Sequence, residues 1–450
     1  MGPDSWSGGR PRPPYYTHPG RGRPGLHGDL PQFWGRIRGS AFWIVAVAFI
    51  LRFGWIILRH TYKIKTSDDN FSFGWEMGRI AASIARGQGF SNPFGPATGP
   101  TAWEPPLYPY LMAGVFTVFG IYSKASAFVL LTINSVFSAL TCVPIFRIAR
   151  RVFSEKVAVG SAWAWALLPN VMFWSTRAIW ETSLSALLLA MAFWLALTLE
   201  DREGLRPWIL FGLTWGIAAL NSPTLLSFLP AAGLWAWWRR SQRGKSSLAG
   251  VILASVVFFA CVMPWLVRNY ETFGKFTFLR DNFGAELRLG NGPGANGTWM
   301  EYLHPSQDVF ALRQFESMGE VAYIAMRKKQ ALAYIRADYG RFVVLCLERF
   351  IYFWAGPPKA TQPPWMNELK NSLFLASSFL AFWGLIRALR LRRSGAGLFL
   401  WLMLLYPAIY YVAFPAPRYR VAIEPEIAIL AVFVITEART RSKVLDQDRS

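Results

Sequence analysis

Two glutamates stand out between residues 59 and 124, where carboxylates and turn-forming residues interrupt an otherwise apolar chain. Glu76 lies in the stretch WEMGRIAASIAR, in which apolar residues recur at the spacing of an amphipathic helix. Glu104 follows a run rich in proline and glycine. A carboxylate held at a membrane surface and partly removed from water is suited to accept a proton from a hydroxyl group. A surface pair between Glu76 and Arg79 is an equally open interpretation.

Several arginines are expected on the same side of the membrane as these glutamates, where they could bind a phosphate group. Guanidinium groups in fixed turns hold phosphate by bidentate hydrogen bonds. The alternatives are snorkelling to lipid headgroups and binding of ordinary anionic lipid. Arg177 and Glu181, four residues apart, are expected to form a helix-end pair. The candidate phosphate ligands are Arg52, Arg79, Arg268, Arg418 and Arg420.

Long apolar runs must position these residues. The composition is 53% hydrophobic with 22 Trp and 35 Phe, which favours an all-α polytopic membrane protein over a soluble one. About ten membrane-spanning helices are predicted: Ala41 to Leu58, Ala125 to Phe146, Val157 to Trp174, Trp180 to Thr198, Trp208 to Leu220, Pro223 to Trp238, Leu248 to Val267, Ser372 to Ala388, Gly397 to Phe414 and Val421 to Ile435.

Two shorter apolar stretches, Leu107 to Phe119 and Phe342 to Trp354, are predicted to be extracytoplasmic juxtamembrane helices that do not cross. If neither stretch crosses the membrane, every short basic loop falls on the same side of the bilayer, as the positive-inside rule requires. The expected topology has both termini in the cytoplasm. Residues 59–124 and 268–371 then form the large segments outside.

The net charge of +21 could indicate nucleic-acid binding, but the basic residues form short clusters between apolar runs, which is typical of a membrane protein. Residues 1–40 are rich in Pro, Gly and Arg and are predicted to be a disordered basic cytoplasmic tail; residues 437–450 form a second tail. The three cysteines and the remaining polar residues show no metal-ligand spacing. The sequence requires no cofactor and leaves open whether a divalent cation binds.

Four stretches resemble a known family in the order in which they occur. They are WEMGRIAASIARGQGF, GPTAWEPPLYPYLMAGVFTVFG, PWLVRNYETFG with GNG following, and PAPRYR before the last span. Together they resemble membrane glycosyltransferases of the GT-C fold, in the branch that holds protein O-mannosyltransferases and the lipid A aminoarabinose transferase (glycosyltransferase family 39). Residues 41–436 would form the transferase domain.

The resemblance implies an inverting hexosyl- or pentosyltransferase in the plasma (inner) membrane that uses a polyprenyl-phosphate-linked sugar at the outer face. Glu76 is the nearest match to the family's catalytic acid, and Glu104 matches a second acidic position. Pro105 stands where the aminoarabinose transferase has a phosphate-binding lysine, so Arg268, Arg418 or Arg420 would have to replace it. The acceptor could be a lipid, a glycan or a protein. A transporter or flippase of a lipid-linked saccharide is the alternative, although it predicts charged or broken helices at mid-membrane.

Overall fold

The computed structural model describes residues 2, 39–65, 70–96, 98–358 and 364–447. Almost all of the predicted N-terminal tail lies outside these residues. The described part is helical, apart from one isolated β-bridge between Ser91 and Pro100. The α-helices are Ala41–Leu58, Glu76–Ala85, Leu107–Phe119, Lys124–Leu140, Cys142–Val152, Glu155–Leu167, Pro169–Thr176, Thr182–Leu199, Arg206–Asn221, Leu229–Ser241, Leu248–Phe273, Phe283–Gly290, Val309–Met318, Glu320–Ala337, Tyr339–Ala355, Pro364–Arg390, Ala396–Leu405, Ala408–Val412, Pro417–Arg420 and Glu424–Gln447.

Every predicted span coincides with helix, but prolines divide several of them. The stretch Val157 to Trp174 is two helices that meet at a 50° bend, because the residue before Pro169 is pushed out of the helical conformation. Pro223 to Trp238 begins as the 3₁₀ helix Pro223–Phe228. The last helix continues to Gln447, into the predicted C-terminal tail.

The chain is a multi-pass membrane protein. Five described helices are long and apolar enough to cross a bilayer, or six if the bent pair counts as one span. The expected number of about ten crossings is therefore not confirmed. The short helix Leu107–Phe119 has the predicted bounds, whereas the second predicted juxtamembrane helix extends over Tyr339–Ala355.

Thr182–Leu199 lies at the centre of the bundle and is the most buried of the five long apolar helices. Ala41–Leu58 and Leu248–Phe273 lie at the periphery, where apolar side chains such as Phe42 and Phe259 are exposed as they would be to lipid. Leu248–Phe273 packs closely on Arg206–Asn221. A Cβ added at Gly212 would collide with the backbone of Ala254, so glycine permits this close approach.

A cap made of the helices Phe283–Gly290, Val309–Met318 and Glu320–Ala337 and the loops between them covers one end of the bundle. Glu320 ties this cap to the segment before Leu107–Phe119: its carboxylate accepts hydrogen bonds from the Thr101 hydroxyl and from the Ala102 N–H at 2.6 Å. Arg268, on the bundle helix Leu248–Phe273, holds the same segment to the bundle by donating to the carbonyls of Thr101 (2.7 Å) and Phe90 (2.9 Å). These contacts fix the loop that holds Glu104.

Candidate active site

Glu76 begins the helix Glu76–Ala85 and is 4% exposed. A carboxylate in the first turn is stabilised by the positive end of the helix dipole. The preceding residue, Trp75, has a φ of 47°, a left-handed conformation that a bulky residue rarely adopts. This strained turn sets the direction in which the helix starts and places Glu76 beneath the cap.

His304 pairs with Glu76 across the interior of the cap. The distance from His304 Nε2 to Glu76 Oε1 is 3.1 Å, and the N–H of Ser306 donates to His304 Nδ1 at 3.2 Å. Because Nδ1 accepts a hydrogen bond, a neutral imidazole carries its proton on Nε2 and donates it to Glu76. The network thus assigns both the tautomer of the histidine and its direction of donation.

Aromatic rings enclose the Glu76–His304 pair. The ring of His304 stacks on Trp75 with centroids 5.6 Å apart and meets the edges or faces of three further rings, those of Phe94 (5.6 Å), Trp103 (6.0 Å) and Trp299 (5.5 Å). His304 is itself buried, 3% exposed. Such walls exclude water and strengthen the hydrogen bond between the two side chains.

The pKa of Glu76 reflects two opposing effects. Burial raises the pKa, but the hydrogen bond and electrostatic interaction with His304, the charge of Arg79 and a backbone hydrogen bond together outweigh burial and bring the pKa below the usual glutamate value. Glu76 is therefore ionised at neutral pH. An ionised, oriented carboxylate is the state that a general base requires.

Glu104 is buried in a different electrostatic setting. Burial raises its pKa to about 8, although the guanidinium of Arg280, 3.0 Å away, acts in the opposite direction. The neighbouring carboxylates Glu76, Glu181 and Glu286 reinforce the rise. At pH 7 Glu104 is thus mostly protonated. Arg280 is fixed in place by the Trp103 carbonyl at 2.8 Å and lies 3.6 Å from Glu286.

Arg280 and Arg418 both line a cavity of about 350 Å³, which we call the Arg418 cavity. The guanidinium of Arg418 lies 3.9 Å over the ring of Trp180 and donates to the Tyr419 hydroxyl at 3.2 Å. The Nε atom of Arg418 is buried without a hydrogen-bond partner among the described residues, so this guanidinium keeps donor capacity for a ligand. The remaining lining residues are Glu181, Thr182, Ser185, Ser222, Pro223, Thr224, Ser227, Asn282, Phe283, Glu286, Tyr406, Ile409, Tyr410, Ala413, Phe414, Tyr419 and Ala422.

The Arg418 cavity adjoins the Glu76–His304 pair through two tryptophans. Trp180, on which Arg418 stacks, lies 6.5 Å from Trp75 between ring centroids, and Trp75 stacks on His304. Burial lowers the pKa of Arg418, but Tyr419 and nearby carboxylates, Glu76 among them, raise it above its ordinary value. We therefore treat the base candidate and the two guanidiniums as one candidate site, although Glu76 itself does not line the cavity.

Of the five arginines predicted to bind phosphate, only Arg418 lines this cavity. Arg52 is fully buried and donates to Ser138 Oγ and to the carbonyls of Ala48, Trp165 and Ala166. These contacts join helices within the bundle, which is a structural role.

Two of the other predicted arginines are committed to protein groups. Arg420 donates to Trp354 O, Phe374 O, Ser377 Oγ and Ser378 Oγ and pairs with Glu424 at 2.8 Å. Arg268 holds the Thr101 segment, as described above. Arg79 donates to Ser306 Oγ at 3.1 Å and lines a separate cavity of about 510 Å³.

The residues of the candidate site that were not identified from the sequence include Arg280, Glu286, His304 and Tyr419. The expected helix-end pair is also not formed, since Glu181 makes no ion pair with Arg177 in the described structure and lines the Arg418 cavity instead. Arg177 lies over the ring of Phe173. For His304, the one signal in the sequence was the rarity of its residue type, because the chain has only 4 histidines.

Comparison with known proteins supports the predicted resemblance. Residues 103–267 match the family model of dolichyl-phosphate-mannose-protein mannosyltransferase. No match was found among curated proteins.

Solved structures show the fold. The archaeal oligosaccharyltransferase AglB from Archaeoglobus fulgidus, in complex with an inhibitory peptide and a dolichol-phosphate, is 15% identical with a TM-score of 0.54, covering 93% of this chain and 52% of that one. The oligosaccharyltransferase of the same organism tethered with an acceptor peptide is 16% identical with a TM-score of 0.54, covering 92% and 51%. The chain thus spans about half of the length of these structures. It has the GT-C fold that the sequence motifs predicted.

Proposed function

We propose that this protein transfers a sugar from a polyprenyl-phosphate-linked donor to an acceptor hydroxyl at the extracytoplasmic face of the membrane, with inversion of the anomeric centre. The observation that carries the proposal is the buried, ionised Glu76 beside a cavity that presents Arg280 and Arg418. The match of residues 103–267 to a dolichyl-phosphate-mannose-dependent family supports it. So does the dolichol-phosphate bound in the archaeal structure of the same fold.

The Arg418 cavity suits the head of such a donor. Arg280 and Arg418 would bind the phosphate, since guanidinium groups match phosphate oxygens in geometry and charge. The hydroxyls of Tyr410 and Thr224, which are 3.2 Å apart, offer hydrogen bonds to a sugar. Apolar side chains such as Phe414 would border the first isoprene unit. The combination of polar and apolar walls favours an amphipathic ligand over a soluble nucleotide sugar.

The proposed reaction is a single displacement. Glu76 removes the proton from the acceptor hydroxyl as its oxygen attacks the anomeric carbon, and the bond between that carbon and the phosphate oxygen breaks. The phosphodiester, with one negative charge, leaves as a polyprenyl phosphate monoester with two. Arg280 and Arg418 stabilise the additional charge, so the leaving group needs no proton. Attack opposite to the leaving group inverts the configuration.

His304 and Glu104 have supporting roles in this proposal. His304 orients Glu76 and keeps it ionised through the hydrogen bond from Nε2. Glu104 is unsuited to be the base at neutral pH because it is mostly protonated and contacts Arg280. It positions Arg280 and limits the negative charge around the bound phosphate.

The test is donor consumption by purified protein incubated with a panel of sugar-phospho-polyprenols and acceptors, with and without EDTA. We expect Glu76→Gln to lower the rate by about 10²–10⁴-fold, the usual contribution of a general base. Glu301→Gln, which removes an exposed carboxylate near His304, is the matched control. NMR of the product would establish the anomeric configuration. If no donor is consumed while reconstituted vesicles move lipid-linked sugar across the bilayer, the protein is a transporter and the proposal fails.

A further inference from the structure

A second large cavity extends from the middle of the helices that line the Arg418 cavity to their opposite end. Its volume is about 630 Å³, and we call it the Arg392 cavity. The run from Pro223 through Ser241 borders both cavities: residues 223–227 line the Arg418 cavity, and residues 230–239 line the Arg392 cavity. That run is roughly 30 Å long at the rise of its two helix types, which is the thickness of a bilayer core. The two cavities approach each other between Ser227 and Pro230, and the arginine end of the Arg392 cavity lies towards the leaflet opposite the Arg418 cavity.

The walls of the Arg392 cavity are mainly apolar and open towards lipid. Leu234 is 62% exposed and Trp401 is 48% exposed, so these side chains meet the membrane rather than the protein interior. The other apolar wall residues are Pro230, Ala231, Trp235, Trp238, Leu389, Ala396 and Leu405. Gly397 also lines the cavity, and a Cβ at this position would meet open space. A crevice of this kind accommodates a hydrocarbon chain.

Arginines form the polar end of the Arg392 cavity. Arg239 is bound to Glu200 at 2.5 Å and to Ser394, so its charge is largely compensated. Arg392 and Arg393 are exposed, and neither forms an ion pair within the described residues. The cavity thus carries two uncompensated positive charges beside its apolar walls.

The backbone of the turn that carries these two arginines is hydrogen-bonded to the end of the preceding helix. The N–H of Arg392 donates to the Leu389 carbonyl and that of Arg393 to the Ala388 carbonyl, both at 3.0 Å. Arg392 has a φ of 50°, a left-handed conformation that persists in a non-glycine residue only where the surroundings enforce it. The turn therefore places Arg392 and Arg393 at the mouth of an apolar crevice.

We propose that the Arg392 cavity binds an anionic glycerophospholipid of the leaflet opposite the active site. The phosphate and its anionic headgroup would contact Arg392 and Arg393, and an acyl chain would lie along Trp238 and Trp401. Basic pockets between membrane helices recognise anionic headgroups in this way. The apolar walls commit the site to a lipid, because free phosphate would leave them empty. This inference does not depend on the proposed transferase activity.

Native mass spectrometry of the full-length protein in detergent tests the inference. The protein is titrated with phosphatidylglycerol, with phosphatidylcholine of the same acyl chains, and with inorganic phosphate. We expect phosphatidylglycerol to bind at least about ten times more tightly than phosphatidylcholine, and inorganic phosphate not to bind. Equal binding of the two lipids, or binding of phosphate alone with the affinity of the anionic lipid, would overturn the proposal.

Variants locate the lipid. Arg392→Gln combined with Arg393→Gln should remove the preference for phosphatidylglycerol, a loss on the order of tenfold or more. Arg147→Gln combined with Arg150→Gln removes two exposed guanidiniums from the same end of the bundle outside the cavity and should retain the preference. An equal loss in both pairs would show that only surface charge is involved.

Gly397→Leu provides a test without a change of charge. The new side chain enters the cavity, where no atom lies within 4 Å of the added Cβ, and it should displace the acyl chain and weaken binding of phosphatidylglycerol. Its thermal transition in lipid-free detergent should match that of the wild type. Unchanged lipid binding by Gly397→Leu would place the lipid elsewhere and refute the site.

Discussion

At the scale of single residues, the site depends on carboxylates whose environments drive their pKa values apart. Burial acts on Glu76 and Glu104 alike, yet the pKa of Glu76 is lowered and that of Glu104 is raised to about 8. The difference comes from the partners, since Glu76 accepts from His304 whereas Glu104 lies among other carboxylates. Groups separated in this way take different protonation states at one pH, so their roles can be assigned.

His304→Ala should shift the acidic limb of the kcat profile to higher pH. Without His304, only the charge of Arg79 and a backbone hydrogen bond oppose the effect of burial on Glu76, so the pKa of the base rises. Measuring kcat from pH 4.5 to 8 checks this. His304→Gln, which retains an N–H donor, should restore part of the profile. His60→Ala, at an exposed histidine, is the control. A uniform loss of rate with no shift of the acidic limb would show that His304 contributes only packing.

Ionisation of the Glu104 carboxyl group should make donor binding depend on pH. As the pH rises through about 8, Glu104 loses its proton and competes with the donor phosphate for Arg280. The KM for the donor should therefore rise by about tenfold between pH 7 and 9, as one strictly linked proton requires. Glu104→Gln, which remains neutral, should keep the low-pH KM throughout that range. A parallel rise of KM in wild type and variant would contradict the assignment.

At the scale of elements, the helices were predictable and their junctions were not. Leu107–Phe119 and Glu76–Ala85 agree with the sequence prediction closely because helical periodicity is a local signal. The pairing of Glu76 with His304 could not be predicted in this way. Ser306, which lies two positions after His304, also donates to Glu76, and these two residues are 230 positions apart in the sequence. Such a contact depends on how the cap folds onto the bundle. No spacing in the sequence encodes it.

The junction between cap and bundle should respond to pH through Glu320. Burial raises the pKa of Glu320 to about 7, although Thr101 and Ala102 donate to its carboxylate. The folded state thus favours the protonated form, which stabilises the protein fully below the unfolded pKa of roughly 4.3. That contribution is lost as the pH rises to about 7.

Glu320→Gln, neutral at every pH, should therefore be more stable than wild type at pH 8, by up to about 3 kcal/mol, and similar to it at pH 4.5. Thermal unfolding in detergent at the two pH values measures the difference. Glu316→Gln, at an exposed glutamate of the preceding helix, should leave the pH dependence unchanged. A constant difference between Glu320→Gln and wild type across this range would mean that Glu320 is not the titrating group.

At the scale of the whole molecule, one bundle carries polar chemistry at its two ends and apolar surface between them. The Arg418 cavity lies under the cap, and the opposite end gathers Glu200 with Arg151, Arg239 and Arg243. Short basic clusters at one end are what the positive-inside rule expects of the cytoplasmic face. The cap and the candidate active site would then lie at the extracytoplasmic face of the membrane, where a polyprenyl-linked donor would present its sugar.

Cysteine labelling in intact cells tests this orientation. In a background where Cys142, Cys261 and Cys346 are replaced, Ser317→Cys introduces an exposed thiol on the cap, and Ser241→Cys introduces one at the opposite end. A membrane-impermeant maleimide should label Ser317→Cys at once and Ser241→Cys only after permeabilisation, because a charged reagent cannot cross the hydrocarbon core. The reverse pattern would place the Arg418 cavity in the cytoplasm. A soluble nucleotide sugar could then reach it, and the case for a lipid-linked donor at the outer leaflet would be lost.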